Sequence, residues 1–168
     1  MQHSALLLLA ILLSACTPSH DWRQVRGTDA PYTVVLPAKP ATLTRQIDLD
    51  GTPVSMTMTA AEVNAVTYAV GSLELADAAK ANLALTAMKT ALIKNINGTV
   101  LHEKVTVNPT GTTIDVEASG TPKGGQPRLL VARFASKNQR AYQAIVTGPE
   151  KAVSRENIDT FMTSFKLE

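Results

Sequence analysis

Apolar and polar residues alternate along most of the chain from residue 32 onward, a period of two that is typical of half-buried β-strands. Turn-forming residues interrupt the alternation and divide it into separate strands. The pattern predicts strands at 32–36, 43–49, 54–60, 100–107, 112–118, 128–136 and 140–147, and one more marked by Val66, Tyr68 and Val70. A β-sheet is therefore expected to form the centre of the domain.

The dipeptide Asp50-Gly51 separates two of these predicted strands. Both residue types tolerate positive φ, so the pair favours a two-residue type I′ hairpin. In the strand that follows, Val54, Met56 and Met58 are expected to point to one face of the sheet, because side chains alternate between faces along a strand.

A second hairpin is predicted where Asn108-Pro109-Thr110-Gly111 joins strands 100–107 and 112–118. In the register that this turn gives, Lys104 lies opposite Asp115 and His102 lies opposite Glu117. Both are expected to be cross-strand pairs on the surface.

Two stretches have the period of a helix. Residues 77–97 carry apolar side chains at spacings of three and four, with Gly98 expected as the C-terminal cap. The second helix begins after Ser154, a good N-cap, and Val153 is expected to pack against its first turns. Its apolar positions recur at i, i+3, i+4 and i+7: Ile158, Phe161, Met162 and Phe165.

The order of these elements predicts one α+β domain over residues 32–168, with an antiparallel β-sheet covered by two helices. Aromatic residues make up only 4% of the chain. Phe161 and Phe165 are therefore expected to be large anchors of a core built mostly from aliphatic side chains.

Four features resemble small exported bacterial lipoproteins with a Mog1/PsbP-like domain: the segment "YTVVLPAKP", the hairpin after it, the helix before Asn97-Gly98, and the closing "FMTSFKL". The resemblance covers residues 32–167 loosely and implies an α/β/α sandwich with accessory or binding roles. It implies no particular functional residue.

The N-terminus has the composition of an export signal. Residues 5–13 are a nine-residue apolar run, too short to span a ~30 Å hydrocarbon layer as a helix, which takes roughly 20 residues. The run ends in Leu13-Ser14-Ala15-Cys16, which resembles the lipobox of bacterial lipoproteins. The resemblance implies a signal peptide at residues 1–15 and diacylglycerol and palmitate on Cys16. Residues 1–4 lack the usual Lys or Arg, and an ordinary secreted protein is the alternative.

A lipidated Cys16 implies a location in the cell envelope. Thr17, in place of an aspartate, implies by the same resemblance the periplasmic face of the outer membrane rather than the inner membrane. Residues 16–31 are expected to form a tether. Trp22, Arg23 and Arg26 within it either rest at the lipid headgroups or, in the alternative, Trp22 covers an edge of the domain.

Charge and cysteine content exclude two classes of protein. The net charge is only +2 and the basic residues are scattered, so no nucleic-acid footprint is expected. A single cysteine permits no intramolecular disulfide. Stability is expected to come from packing alone.

The segment Asp48-Leu49-Asp50-Gly51-Thr52 is similar to the D-x-D-G-T motif of haloacid-dehalogenase-type phosphatases. The resemblance would make Asp48 the nucleophile and Asp50 the acid. That family places the motif after a buried parallel strand, whereas residues 43–46 are mostly polar, so the hairpin is the favoured interpretation. A calcium loop starting at Asp48 is disfavoured, because its twelfth position is Thr59 rather than glutamate.

Other candidate sites are weaker. Residues 120–128 are glycine-rich but lack the ending of a phosphate loop, which favours a flexible hairpin connection. The mature chain offers only His20 and His102 as imidazole ligands, and Met56 and Met58 are expected in the core rather than on copper. The sequence therefore predicts no metal and no cofactor.

The leading functional hypothesis is a membrane-anchored, non-enzymatic module that binds an envelope protein or a small ligand. The alternative from another class is a phosphatase that uses Asp48. A structural component of a larger envelope assembly is a third possibility that the sequence does not separate from the first.

Overall fold

The computed structural model describes residues 19–168. Strands account for 55% of these residues and helices for 21%. The strands are β1 (Arg23–Arg26), β2 (Tyr32–Leu36), β3 (Ala41–Leu49), β4 (Thr52–Val63), β5 (Val66–Glu74), β6 (Gly98–Asn108), β7 (Gly111–Gly120), β8 (Arg128–Lys137), β9 (Arg140–Pro149) and β10 (Lys166–Leu167). The helices are α1 (Ala78–Asn95), a short 3-10 turn (Glu150–Ala152) and α2 (Arg155–Ser164).

Seven strands form one antiparallel sheet in the order β3-β4-β5-β9-β8-β7-β6. Every predicted strand from 43–49 onward lies in it, extended by a few residues at its ends. The predicted register of the second hairpin is confirmed, since Lys104 pairs with Asp115 and His102 with Glu117. A bulge between Val100 and His102 shifts the pairing only before that point.

A second, three-stranded sheet has the order β1-β2-β10. Strand β2 is its centre: β1 pairs with it from Arg23 opposite Leu36 to Arg26 opposite Thr33. The two residues of β10 pair with the start of β2. The two ends of the described chain therefore meet in one small sheet, and the stretch expected to be a tether contributes β1.

Helix α1 covers one face of the seven-stranded sheet. Its buried residues, Ala81, Ala84, Leu85 and Met88, pack on apolar side chains from the sheet. The sheet residues in this cluster include Leu73, Val116, Leu130, Phe134 and Ile145. Val54 and Met56 belong to it as well, and Met58 packs against it, as the alternation in β4 predicts.

The opposite face of the large sheet is covered jointly by α2 and the three-stranded sheet. Phe161 of α2 is fully buried, and its ring meets Tyr68 of β5 at a centroid distance of 5.7 Å. Tyr32 of β2 lies edge-on to Tyr142 of β9 at 6.4 Å. Phe165 lies beside both of these tyrosines. Nearly all the aromatic rings of the chain are thus concentrated in this second core.

The predicted fold class is wrong. The expectation was an α+β domain whose sheet is covered by two helices, with an α/β/α sandwich as the suspected arrangement, but residues 19–168 are mostly β and form two sheets. The physical reason is that α2, only ten residues long, is too short to cover a seven-stranded face. Strands β1, β2 and β10 supply the rest of the apolar cover.

Helix α1 begins as predicted and ends differently. The Asp77 side chain accepts a hydrogen bond of 2.8 Å from the Lys80 N–H and caps the first turn. At the other end Asn97, at φ +50°, takes the left-handed conformation, whereas Gly98 already starts β6. Asparagine is the residue next to glycine in its tolerance of that conformation. No helix in residues 19–168 is both long and apolar enough to cross a membrane.

The second core generates a prediction about α2. Phe161→Ala and Phe165→Ala should each lower the free energy of unfolding by about 3–5 kcal/mol, because both rings are buried and their removal leaves a cavity. Lys166→Ala, at an exposed position, is the control and should cost little. Chemical denaturation of the three variants measures this, and similar small losses for all three would contradict the packing of the closing helix.

Candidate functional site

The tip of the β3–β4 hairpin carries the residues that the sequence singled out for chemistry. Asp50 and Gly51 have φ values of +53° and +82°, so both central positions are positive as a type I′ turn requires. The predicted two-residue hairpin is confirmed. Asp48 closes it, because its Oδ1 accepts a hydrogen bond of 2.8 Å from the Gly51 N–H.

The surroundings of this motif differ from those of a phosphatase nucleophile. Asp48 lies near the end of a strand in an antiparallel hairpin, opposite Pro53 and at the exposed edge of the sheet. Its carboxylate is engaged by the turn. Thr59, the twelfth residue of the discounted calcium loop, is buried, and its hydroxyl lies 3.0 Å from that of Thr42. Within residues 19–168 no three His, Cys, Asp or Glu side chains are grouped to hold a metal ion.

An open cleft of about 240 Å³ lies beside the same hairpin, between its tip and the first half of α1. We refer to it as the hairpin cleft. The residues that line it are Leu49, Asp50, Thr52, Val54, Leu75, Lys80, Leu83, Ala84 and Ala87.

The lining of the hairpin cleft is mostly apolar. Leu49 and Val54 form buried walls, each 9% exposed, and Leu75 packs against the core beneath. Leu83 stands on the rim with 73% of its surface exposed. Among lining residues only Asp50 and Lys80 carry charge, so the cleft is an apolar depression with one charge of each sign at its mouth.

The predicted lipidation site, Cys16, lies outside the described residues. Further along the chain, within the described residues, His20 and Trp22 pack on the domain. The His20 ring stacks on Trp22 with a centroid distance of 5.7 Å, and Trp22 meets Tyr68 edge-on at 5.8 Å. The Asn157 amide lies 3.2 Å from His20 Nε2. Burial raises the pKa of Tyr68, and a hydrogen bond with Asn157 partly offsets that rise.

The three residues proposed for a lipid interface do not act as one group. Trp22 is partly buried against the second core, which agrees with the alternative that it covers part of the domain. Arg23 is ion-paired with Asp21. Arg26 lies at the other end of β1, where its guanidinium is 3.3 Å from the Glu168 carboxylate.

The remaining sequence candidates occupy structural positions. Residues 121–127 connect β7 to β8, as the hairpin interpretation predicted, with a turn in which the Gly125 N–H donates to the Pro122 carbonyl at 2.9 Å. The thioethers of Met56 and Met58 lie 3.7 and 3.5 Å from the buried amide nitrogen of Gln143. That contact fixes both methionines in the core.

A second open groove, beside α2, is lined by charged residues from β6, β7 and β8. Arg133 binds Asp115 at 2.6 Å, and Arg155 binds both carboxylate oxygens of Glu117 at 2.6 and 2.7 Å. The Arg155 hydrogen bonds hold the pKa of Glu117 below its usual range. Two pairs of opposite charges are thus already formed here, and Lys104 and Asp159 add one charge of each sign. The groove therefore offers little net charge to a ligand.

Sequence reasoning did not identify the hairpin cleft. Its walls come from β3, β4 and α1, and their proximity follows from the way α1 crosses the sheet. One signal was present: Leu83 lies outside the three-and-four spacing of Ala81, Leu85 and Met88, and is therefore an apolar residue on the solvent side of the helix.

No protein-family model matches the sequence, and no curated protein is significantly similar to it.

The hairpin generates a prediction that separates a turn from a catalytic site. Gly51→Val should destabilise the domain by about 1–2 kcal/mol, because an added Cβ meets open space and the cost is that of positive φ alone. Asp48→Asn should be nearly silent, since the amide oxygen can still accept from Gly51. Urea midpoints of both variants measure this; a large loss for Asp48→Asn with none for Gly51→Val would reverse the assignment.

Proposed function

We propose that this chain is a lipid-anchored, non-enzymatic protein at the periplasmic face of the outer membrane that binds a partner protein in the hairpin cleft. The observation that carries the binding role is the apolar cleft beside an exposed leucine. The lipobox resemblance at Cys16 supports the anchor.

Exposed leucines are common on soluble proteins and need no function when they stand alone. Leu83 does not stand alone, because it rises at the edge of a depression walled by Leu49 and Val54. An apolar side chain of a partner seated there would be surrounded by carbon on several sides and screened from water. Such water-excluded anchor points supply most of the free energy of protein–protein binding.

The size of the cleft favours a protein partner over a free small molecule. Pockets that enclose drug-sized ligands measure roughly 300–1,000 Å³ and bury most of the ligand surface. The hairpin cleft is smaller, about 240 Å³, and is open to solvent. It has room for one or two side chains that a partner projects from its own surface. Asp50 and Lys80 at the mouth would orient the polar groups next to those side chains.

The anchor is tested by replacing the lipidated residue. Cys16→Ala removes the only thiol in the chain, so no thioether-linked lipid can form. The protein should move from the membrane fraction to the soluble periplasmic fraction, because the nine apolar residues before it are too few to hold it. Fractionation with palmitate labelling measures this. Labelling that persists in the variant would disprove lipidation at Cys16.

The binding role is tested by photocrosslinking in intact cells, with the crosslinking residue placed at Leu83. Thr86 is the control position, since it is exposed on the same helix but does not line the cleft. We expect an adduct of defined mass from position 83 and none from position 86. Leu83 is exposed, so its replacement should leave the fold intact, and thermal denaturation checks this.

A variant that fills the cleft distinguishes a partner bound in the cleft from one that meets Leu83 by random collision. Thr52→Trp places a large ring at the exposed rim and should abolish the adduct from position 83. Gln46→Trp, an exposed change on the same hairpin that does not line the cleft, should leave it intact. An adduct that survives Thr52→Trp, or that forms equally at position 86, would contradict binding in the cleft.

A further inference from the structure

The strand pairings divide the connecting segments between two ends of the large sheet. At one end, the β4–β5 turn follows the pair Val63 and Val66, and the loop after Gly120 leads to Arg128 opposite Pro149. We name this the proximal end. The β3–β4 turn, residues 138–139 and the start of α1 lie at the other end, which we name the distal end.

The described chain starts at the proximal end. The Asp21 N–H donates to the Pro37 carbonyl at 2.8 Å, just before the connection that leads into β3. His20 contacts Asn157, in the first turns of α2, and Trp22 contacts Tyr68 near the proximal end of β5. Three separate contacts therefore hold residues 20–22 at this end.

Cys16 is three peptide steps from Ser19, a reach of ~11 Å at most. A ten-residue strand such as β8 is ~33 Å long. A membrane anchor at Cys16 would therefore hold the proximal end of the domain nearest to the membrane. The hairpin cleft lies at the distal end, beyond the reach of this short peptide link.

Charge is distributed unequally between the segments that connect the elements at the two ends. The proximal connections carry Lys39, Lys123 and Lys151 against Glu150, all of them exposed. Asp21, also at this end, is paired with Arg23. None of the three lysines takes part in an ion pair within residues 19–168.

In the distal connections and at residue 168, every charged residue is acidic: Asp29, Asp50, Asp77 and Glu168. Basic side chains also lie near this end. Arg140 is paired with Glu74 and Arg26 with Glu168, and Lys137 donates to the Glu168 carbonyl. Lys80 and Lys166 are exposed and are outnumbered by Asp29, Asp48, Asp50 and Asp77. At the proximal end, by contrast, Lys94 and Arg128 on neighbouring element ends are offset by Glu62 and Glu156. The proximal end is therefore the more positive one.

From this placement we propose that the proximal end docks on an anionic phospholipid surface and that the hairpin cleft points away from the membrane. The inference rests on the lipidation of Cys16 proposed above. The short link brings the proximal end to the headgroups, and Lys39, Lys123 and Lys151 meet their phosphates. A partner then reaches the cleft from the side opposite the membrane.

The experiment uses the full lipidated protein, purified from membranes and reconstituted in vesicles that contain a headgroup-located nitroxide lipid. Two variants carry a fluorophore on a single introduced cysteine, because Cys16 is the only native one and is blocked by lipid. Gln126→Cys reports on the proximal end and Gln139→Cys on the distal end; both positions are exposed. Vesicles are made of phosphatidylcholine alone or mixed with phosphatidylglycerol.

We expect the label at position 126 to be quenched strongly and the label at position 139 to be nearly unaffected. Replacing Lys39, Lys123 and Lys151 together with glutamate should reduce quenching at position 126 in phosphatidylglycerol vesicles. The matched control replaces Arg45, Lys104 and Lys166 with glutamate. These residues are exposed away from the proximal end, and their replacement should leave the quenching unchanged.

Sedimentation of the vesicles separates the two proposals. Protein that fails to sediment with vesicles would overturn the anchor itself. Protein that sediments but shows equal quenching at positions 126 and 139 would overturn the orientation and leave the anchor standing. Docking on anionic lipid would be overturned if quenching at position 126 were the same with and without phosphatidylglycerol and the same with and without the lysine replacements.

Discussion

The central strands of the large sheet are apolar on both faces, and the fold has to bury both of them. In β9, Tyr142, Ala144 and Val146 face the second core, while Ala141 and Ile145 face α1, and all five are buried. A sheet that is apolar on both sides must be covered on both sides. Helix α1 covers one face of the sheet, along the strands that it crosses. The other face needs α2 together with a second sheet.

That division of the cover explains where the surface features lie. On the α1 face, the helix leaves the hairpin incompletely covered at its tip, and the uncovered space is the hairpin cleft. On the other face, β1 must reach β2 to complete the second core, which draws the start of the domain onto the sheet. Because β1 runs from the proximal to the distal end, the chain enters the domain at the end opposite the cleft. The start of the described chain and the hairpin cleft are thus separated by the length of the sheet.

The aspartate motif illustrates how context decides the chemistry of a short sequence. In a phosphatase of the family it is similar to, the first aspartate follows a buried parallel strand and faces the substrate. Here the same residues form a hairpin turn, and the first carboxylate accepts the Gly51 N–H. Aspartate is common both in turns and in catalytic sites because its short side chain holds strong acceptor oxygens close to the backbone.

Local patterns in the sequence predict the strands of the large sheet, both α-helices and several details of their geometry. These details follow from interactions between residues that are close in the chain, so a local pattern predicts them. They are the period of the strands, the Asp50-Gly51 turn, the register of Lys104 with Asp115 and the Ser154 cap. The assignment of Phe161 and Phe165 to the core also held, since helical spacing predicts a buried face.

The fold class and the candidate site depend on contacts between residues far apart in the chain. Strand β1 has a single apolar residue, Val25, and β10 has two residues in all, so neither carries a recognisable strand pattern. They form strands because β2 and the aromatic core offer them partners far away in sequence. The hairpin cleft likewise exists only between elements that the sheet brings together. Contacts of that kind depend on packing across the whole domain, and no local period of the sequence encodes them.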